Sequence, residues 1–321
     1  MSPYIGYTFP DFYKTIKKVI NEVDIVQVEQ PYLLIPTLMV VKVLNRDIPI
    51  VLDEHNVDFM SVKSKINGAS FASMLTSATL PYVFLSERIA VKRAGLVLCV
   101  SQADKELLTK FYEISKDKIF VVPNGVDVSK FDDASPINNP IVNENNIVFF
   151  HGTLSWYPNL EAANIIVDYL APKIPEAMFL IAGANAPTIL IKKINKSNNV
   201  RYLGFVKNIE GWIKVSRVCI APLLRGGGTK MKILEYAAAG KPIVATYKAV
   251  EGLGMNNKIH GLFYKNVDEY FIDGIRTLLK DIWLSKELGS NAKKYAKKYD
   301  WSLIGRCLYD IYKLLLGNHN R

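Results

Sequence analysis

The sequence predicts an α/β protein of two doubly wound, Rossmann-like domains facing a cleft. Three observations carry that expectation. Strand-like apolar runs alternate with helical ones along almost the whole chain, the alternation breaks at Pro123-Asn124-Gly125, and 321 residues suffice for two cores of ordinary size. The first series of strand-like runs falls at residues 24–28, 48–52, 96–100 and 119–122, with helical segments between them, as a parallel sheet with crossover helices requires. Residues 132–146 are rich in Asn, Asp and Pro, have little to bury, and read as a linker or border loop. A second series follows at 147–150, 178–182, 200–203, 218–221 and 243–246, which places the border near residues 125–145. The expected domains are therefore 1–130, with a helix over 301–316 packing back on it, and 145–300. Ligands of such sheets bind beyond the carboxyl ends of the strands, here in the cleft.

One block carries most of the chemistry: RGGGTKMKILEYAAAGKPIVAT, residues 225–246. Three glycines let an anion approach free backbone N–H groups at the positive end of the helix that follows, and Lys230 and Lys232 are expected to add full charges. In that helix Met231, Leu234, Tyr236 and Ala238 are placed inward, while Glu235 stands about a turn and a half from the glycines, within reach of a sugar joined to a bound phosphate. Gly240 and Pro242 end the helix. A strand, a glycine loop and a helix suggest a nucleoside diphosphate; a tight turn that merely joins two elements is the plain alternative.

Composition narrows the classes. Half of the residues are hydrophobic, which excludes a disordered chain, and the net charge of +10 favours a phosphorylated ligand, an anionic membrane surface or nucleic acid. Cys99, Cys219 and Cys307 are far apart, and the first two lie in apolar runs, as free thiols of a reduced, cytoplasmic protein do. His55, His151, His260 and His319 have no metal-binding companions in sequence, so no metal is expected. Residues 1–12 lack a leader pattern. Residues 31–44 are too short to span a membrane and 70–85 are interrupted by polar residues and Pro81, so both are expected as buried helices. Lys293, Lys294, Lys297 and Lys298 form two pairs on one helix flank, and Leu303, Ile304, Leu308, Ile311, Tyr312 and Leu315 make the last helix amphipathic. Nucleic-acid binding is not favoured, since basic residues interleaved with exposed aromatics occur only thinly around 293–299.

Six segments in order add a family resemblance: PNGVD at 123–127, HGTLSWYPNLEAA at 151–163, FLIAGA at 179–184, VRYLGFV at 200–206, the glycine block, and VEGL at 250–253. Together they resemble the nucleotide-sugar glycosyltransferases of the GT-B fold, and more narrowly the retaining family four. The resemblance covers the second domain and the closing helix, and part of the first domain. It implies that Glu235 binds the ribose hydroxyls and that Gly226, Gly227, Gly228, Thr229 and Lys230 meet the diphosphate and donor sugar. Gly204 and Phe205 would pass the base, with Gly152 and Glu251 also on the donor side. His55 and Asn56, in LDEHNVDF, together with Ser101 would face the acceptor, although a serine after a strand is also a common helix cap. His55, Lys230 and Glu235 are the implied catalytic residues.

Two departures stand out. Many members carry two glutamates eight positions apart, and the first position is Gly227 here. No glycine-rich opening precedes Asp24, so the first domain reads as incomplete. The implied activity is metal-independent transfer of a sugar, with retention, from a nucleoside diphosphate sugar as co-substrate to a hydroxyl acceptor. No other cofactor is implied. The acceptor would be lipid-linked or part of a cell-surface glycan, and the protein cytoplasmic and peripheral at the inner membrane face. The alternative is a catalytically impaired nucleotide-sugar-binding protein, or a subunit of a split enzyme completed by a partner chain or a second copy.

Overall fold

In the computed structural model, which describes residues 9–44, 46–63, 66, 71–139 and 146–319, all strand pairs are parallel and fall into two sheets. The α/β class and the two Rossmann-like sheets expected from the sequence are both present. The chain divides into two compact units, Met1–Pro123 with Gly305–Arg321, and Asn124–Ile304. Parts of the opening 1–12 and of the linker 132–146 lie outside the described residues.

The first unit runs α1 (Phe9–Val19), β1 (Val26–Val28), α2 (Pro31–Val43), β2 (Ile50–Glu54), α3 (Asp58–Lys63), α4 (Phe71–Arg93), β3 (Leu96–Cys99), α5 (Gln102–Tyr112) and β4 (Ile119–Val121), with its sheet in the order β1-β2-β3-β4. Right-handed crossovers between sequential parallel strands put their helices on one face. There Ile50, Leu52, Val97 and Cys99 pack with Leu34 of α2, Val91 of α4 and Leu108 of α5. The alternate residues Val51, Leu96 and Leu98 point to the other face and meet Leu308, Ile311 and Leu315 of the last helix.

The second unit holds α6 (Val128–Asp133), β5 (Ile147–His151), α7 (Tyr157–Ile165), a π-helical turn (Ile166–Leu170), α8 (Ala171–Lys173), β6 (Met178–Ala182), α9 (Thr188–Ile194), β7 (Val200–Gly204) and α10 (Ile209–Val215). It continues with β8 (Val218–Ala221), α11 (Met231–Ala238), β9 (Ile243–Thr246), β10 (Leu262–Tyr264), α12 (Glu269–Lys280) and α13 (Ile282–Ala296), and α14 (Trp301–His319) follows. Its sheet order is β10-β9-β8-β5-β6-β7. The direction of winding reverses between β5 and β8, which leaves a crevice at their carboxyl ends.

Several expectations are corrected. β10 is an added strand, only three residues long. Met231 and Leu303 are exposed rather than inward, because Lys232, Ile233 and Leu234 in α11 and Ile304 in α14 take the inward positions of those turns and leave these two on the solvent side. Residues 70–85 do not form a buried helix: none of 74–86 in α4 is buried. At about 1.5 Å per residue the 23-residue helix runs about 34 Å, roughly two to three times the length of the strands beneath it, so only its last turns, at Glu87, Ala90 and Val91, reach the core. Among the described residues no helix is long and apolar enough to cross a membrane. Cys99 and Cys219 are buried and Cys307 is exposed.

Candidate functional site

The switch point of the second sheet is built from two chain segments. After β5 the chain turns at His151 and Gly152, and after β8 it enters the glycine loop. An added Cβ on Gly152 would come within 2.9 Å of Lys232 Nζ and closer still to Asn159, and one on Gly183 would stand 2.0 Å from the Gly152 carbonyl oxygen. Bare backbone is therefore needed where β5 and β6 end. In the loop Gly226 and Gly228 have φ of 108° and 65°, which only glycine adopts without strain. Lys230, the N-cap of α11, offers no side-chain cap, so the first N–H groups of that helix have no side-chain acceptor from it. The helix ends in a Schellman turn: Gly240, at φ 68°, donates its N–H to Ala237 O, and Lys241 donates to Tyr236 O.

The charged groups are arranged differently from a simple reading of the loop. Lys230 folds back, its ammonium donating to the carbonyls of Gly226 and Gly227 at 3.3 and 2.8 Å and to that of Gly228. Lys232 is not a freely charged group. It is drawn into the core, donates to Asn159 Oδ1 at 2.7 Å and sits 4.2 Å from the centre of the Phe150 ring, and burial brings its pKa down to about 7. Glu235 lies 3.0 Å from His151 Nε2. Burial alone would raise its carboxyl, but His151, Lys232 and Lys130 outweigh that and hold it below the usual range, so it is an ionised acceptor. Burial in turn lowers the His151 pKa, while the Glu235 carboxylate beside it acts in the opposite direction. Thr229 Oγ1 accepts from Asn124 Nδ2 at 2.8 Å, which ties the PNGVD turn to the loop.

The other positions expected on the donor side also follow strands of this sheet. Gly204, at φ 69°, closes β7 with open space beside it, and Phe205 is three-quarters exposed. Glu251 follows β9 and pairs with Lys248 at 2.5 Å. His151, Asn124 and Asn159 were not assigned roles from the sequence. Each sits inside or at the start of a recognisable motif, but its partner is 73 to 105 positions away, so only the fold pairs them.

In the first unit His55 follows β2 and its Nε2 lies 3.0 Å from Oε2 of Glu29, which follows β1. Gln27 donates to Glu29 at 2.7 Å and Asp53 at 3.2 Å, and Tyr312 donates to Gln27 Oε1. Burial raises the Asp53 carboxyl. Glu29, Asp53 and His55 each bring one ligand atom within 4.8 Å of the others, a set that suits a divalent cation. Asn56 is half-buried beside His55. Ser101 caps α5: it accepts from Asp104 N at 3.1 Å and donates to Asp104 Oδ2 at 2.5 Å. Next to this group Glu87 accepts from the N–H groups of Asp58 and Phe59 and from Tyr112, while Glu54 is fully buried.

Comparison with known proteins adds three findings. Residues 2–130 match the family described as Glycosyltransferase Family 4, and residues 145–281 the family described as Glycosyl transferases group 1. An Escherichia coli UDP-Gal:alpha-D-GlcNAc-diphosphoundecaprenol alpha-1,3-galactosyltransferase is 29% identical over 199 residues, 56% of this chain and 50% of its own length. An uncharacterized glycosyltransferase of Methanocaldococcus jannaschii is 24% identical over 67% of this chain and 57% of its own. The chain thus spans little more than half the length of these relatives. Among solved structures, Anabaena HepE in complex with UDP-glucose has a TM-score of 0.73 at 17% identity, covering 95% of this chain and 81% of that one. Sucrose-phosphate synthase of Thermosynechococcus elongatus reaches 0.76 at 18% identity, covering 97% and 78%. At such identities the likeness is one of fold.

Proposed function

The chain belongs to the family-four glycosyltransferases of the GT-B fold, and on that premise we propose that it transfers a sugar from a nucleoside diphosphate sugar to a hydroxyl acceptor with retention of configuration. The observation that carries this reading is the switch-point constellation. A loop whose backbone only glycine adopts without strain, a helix start with no side-chain cap, a buried lysine and an ionised Glu235 meet where β5 and β8 diverge.

In this reading the diphosphate rests on the amides of 226–229 and the start of α11, and Glu235, oriented by His151, accepts hydrogen bonds from the ribose. Gly204 and Phe205 border the base, and Gly152 and Glu251 complete the donor side. Departure of the diphosphate breaks the bond from the anomeric carbon to the phosphate oxygen, which keeps the electron pair. The loop amides and Lys230 stabilise that charge. The acceptor oxygen attacks from the same face and its proton passes to the leaving phosphate oxygen, so no protein nucleophile is required. His55, oriented by Glu29, and Asn56 position the acceptor, and Ser101 contributes the backbone it fixes at the start of α5. The acceptor is carried on a lipid or a cell-surface glycan at the inner membrane face, in line with the diphosphoundecaprenol substrate named for the Escherichia coli relative.

Calorimetric titration with UDP, GDP and ADP tests the site. UDP is expected to bind, as it does in the HepE complexes, and Glu235→Ala to weaken it by about tenfold, the loss of one charge-assisted hydrogen bond. Binding of no nucleotide, or equal binding by the variant, overturns the assignment.

A further inference from the structure

The helices covering one face of the first sheet turn an apolar and cationic side away from it. Ile16 of α1, Leu34 of α2 and Val91 of α4 all pack on the same cluster, so the far sides of these three helices face outward together. On α4 the exposed large apolar residues are Met74, Leu75, Tyr82, Leu85 and Ile89, at 64, 53, 61, 54 and 37% exposure. At helical spacing all five fall within an arc of about 100°. Met39 and Val43, one turn apart on α2, add 54 and 68% exposed side chains. So wide an apolar surface on a folded unit marks something to be covered.

Charge identifies what covers it. Lys92 and Arg93 end the α4 stripe, in line with its apolar residues, and Arg88 flanks it; all three are exposed. Lys42 stands beside Val43, and α1 adds exposed Lys14, Lys17 and Lys18. Asp11 is the one exposed acid among the described residues of these three helices, since Glu87 is buried. An apolar stripe continued by cations whose long stems reach outward is the pattern of a helix lying in a lipid headgroup layer. We propose that the outer face of α1, α2 and α4 seats this protein on an anionic lipid leaflet, with the α4 stripe entering the acyl boundary and the basic residues meeting lipid phosphates. The proposal rests on the membrane-facing part of the reading above, and it fails or stands separately from the nucleotide site.

The test is co-sedimentation of the full chain with vesicles of equimolar phosphatidylcholine and phosphatidylglycerol, and with phosphatidylcholine alone. Binding is expected to the first and not the second. Each basic residue at an anionic surface contributes about fivefold, so Arg88→Gln, Lys92→Gln and Arg93→Gln together lower affinity about a hundredfold, while UDP titration and circular dichroism stay unchanged. Leu85→Glu is expected to reduce binding in the same assay. Failure of the unmodified chain to pellet with phosphatidylglycerol, or undiminished binding by both variants, overturns the proposal. Concentration-dependent self-association abolished by Leu85→Glu, with no vesicle binding, also overturns it and assigns the face to a second copy.

Discussion

Replacing Lys232 by methionine is expected to make the second unit more stable and its nucleotide site weaker. The amine is held near pH 7 by burial, against an ordinary value of 10.5. At ~1.36 kcal/mol per pH unit, keeping it in that setting costs the folded state about 5 kcal/mol at pH 7. Methionine fills similar volume without that cost but forgoes the bond to Asn159 and the Phe150 ring contact, each worth about 1 kcal/mol. A net gain of about 3 kcal/mol follows. The sign of the pH dependence follows from the same numbers: between pH 7 and 10.5 the unfolded chain binds the proton and the folded one does not, so stability rises with pH through that window. From pH 7 to 9 the rise is about 2 kcal/mol for the natural chain and absent in Lys232→Met. All four tryptophans, at 156, 212, 283 and 301, belong to the second unit, so urea unfolding followed by their fluorescence reports that unit. A diphosphate restores the charge on Lys232, so UDP binding at pH 8 takes up a proton, seen as a heat that varies with the buffer. A variant no more stable than the natural chain at pH 7, or a pH-independent natural chain, refutes the reasoning.

Three further outcomes are expected. Glu87, pushed by burial up to about 7 from 4.5, binds a proton in the folded state that the unfolded chain releases, so stability of the first unit falls by about 3 kcal/mol as pH rises from 4.5 through 7. Glu87→Gln removes that slope, read by thermal melts at pH 5 and 8; a slope that survives the substitution counts against the assignment. Gly183→Ala forces a Cβ to 2.0 Å from the Gly152 carbonyl and is expected to cost about 3 kcal/mol or more in urea unfolding. His151→Ala frees the Glu235 carboxylate and is expected to weaken UDP about tenfold while leaving pyrophosphate binding unchanged, a split that calorimetry with both ligands resolves.

Strands were legible in the sequence where they are continuous apolar runs buried on both faces, as in Ile147–His151 and Val218–Ala221. Leu262–Tyr264 escaped because an apolar run of three residues is too short to distinguish a strand from a loop. The glycine loop and its helix were legible because their residue types declare their backbone needs. The state of Lys232 was not: in sequence it resembles the surface lysine at 230, and only the phase of α11 against Phe150 and Asn159 buries it. The His151 contact with Glu235 was out of reach for the same reason, since 84 positions and three intervening strands separate the two residues. Residues 70–85 misled in the other direction, because apolar composition states that a surface wants covering but not by what.

The burial of two of the three thiols makes the chain selectively addressable. Cys99 and Cys219 are enclosed, and burial pushes both up to about 12, leaving almost no thiolate to react at neutral pH. Cys307 lies exposed on α14. A maleimide dye added to the folded protein therefore attaches at one place without any engineering, and the appearance of second and third labelled sites times the opening of the two sheets.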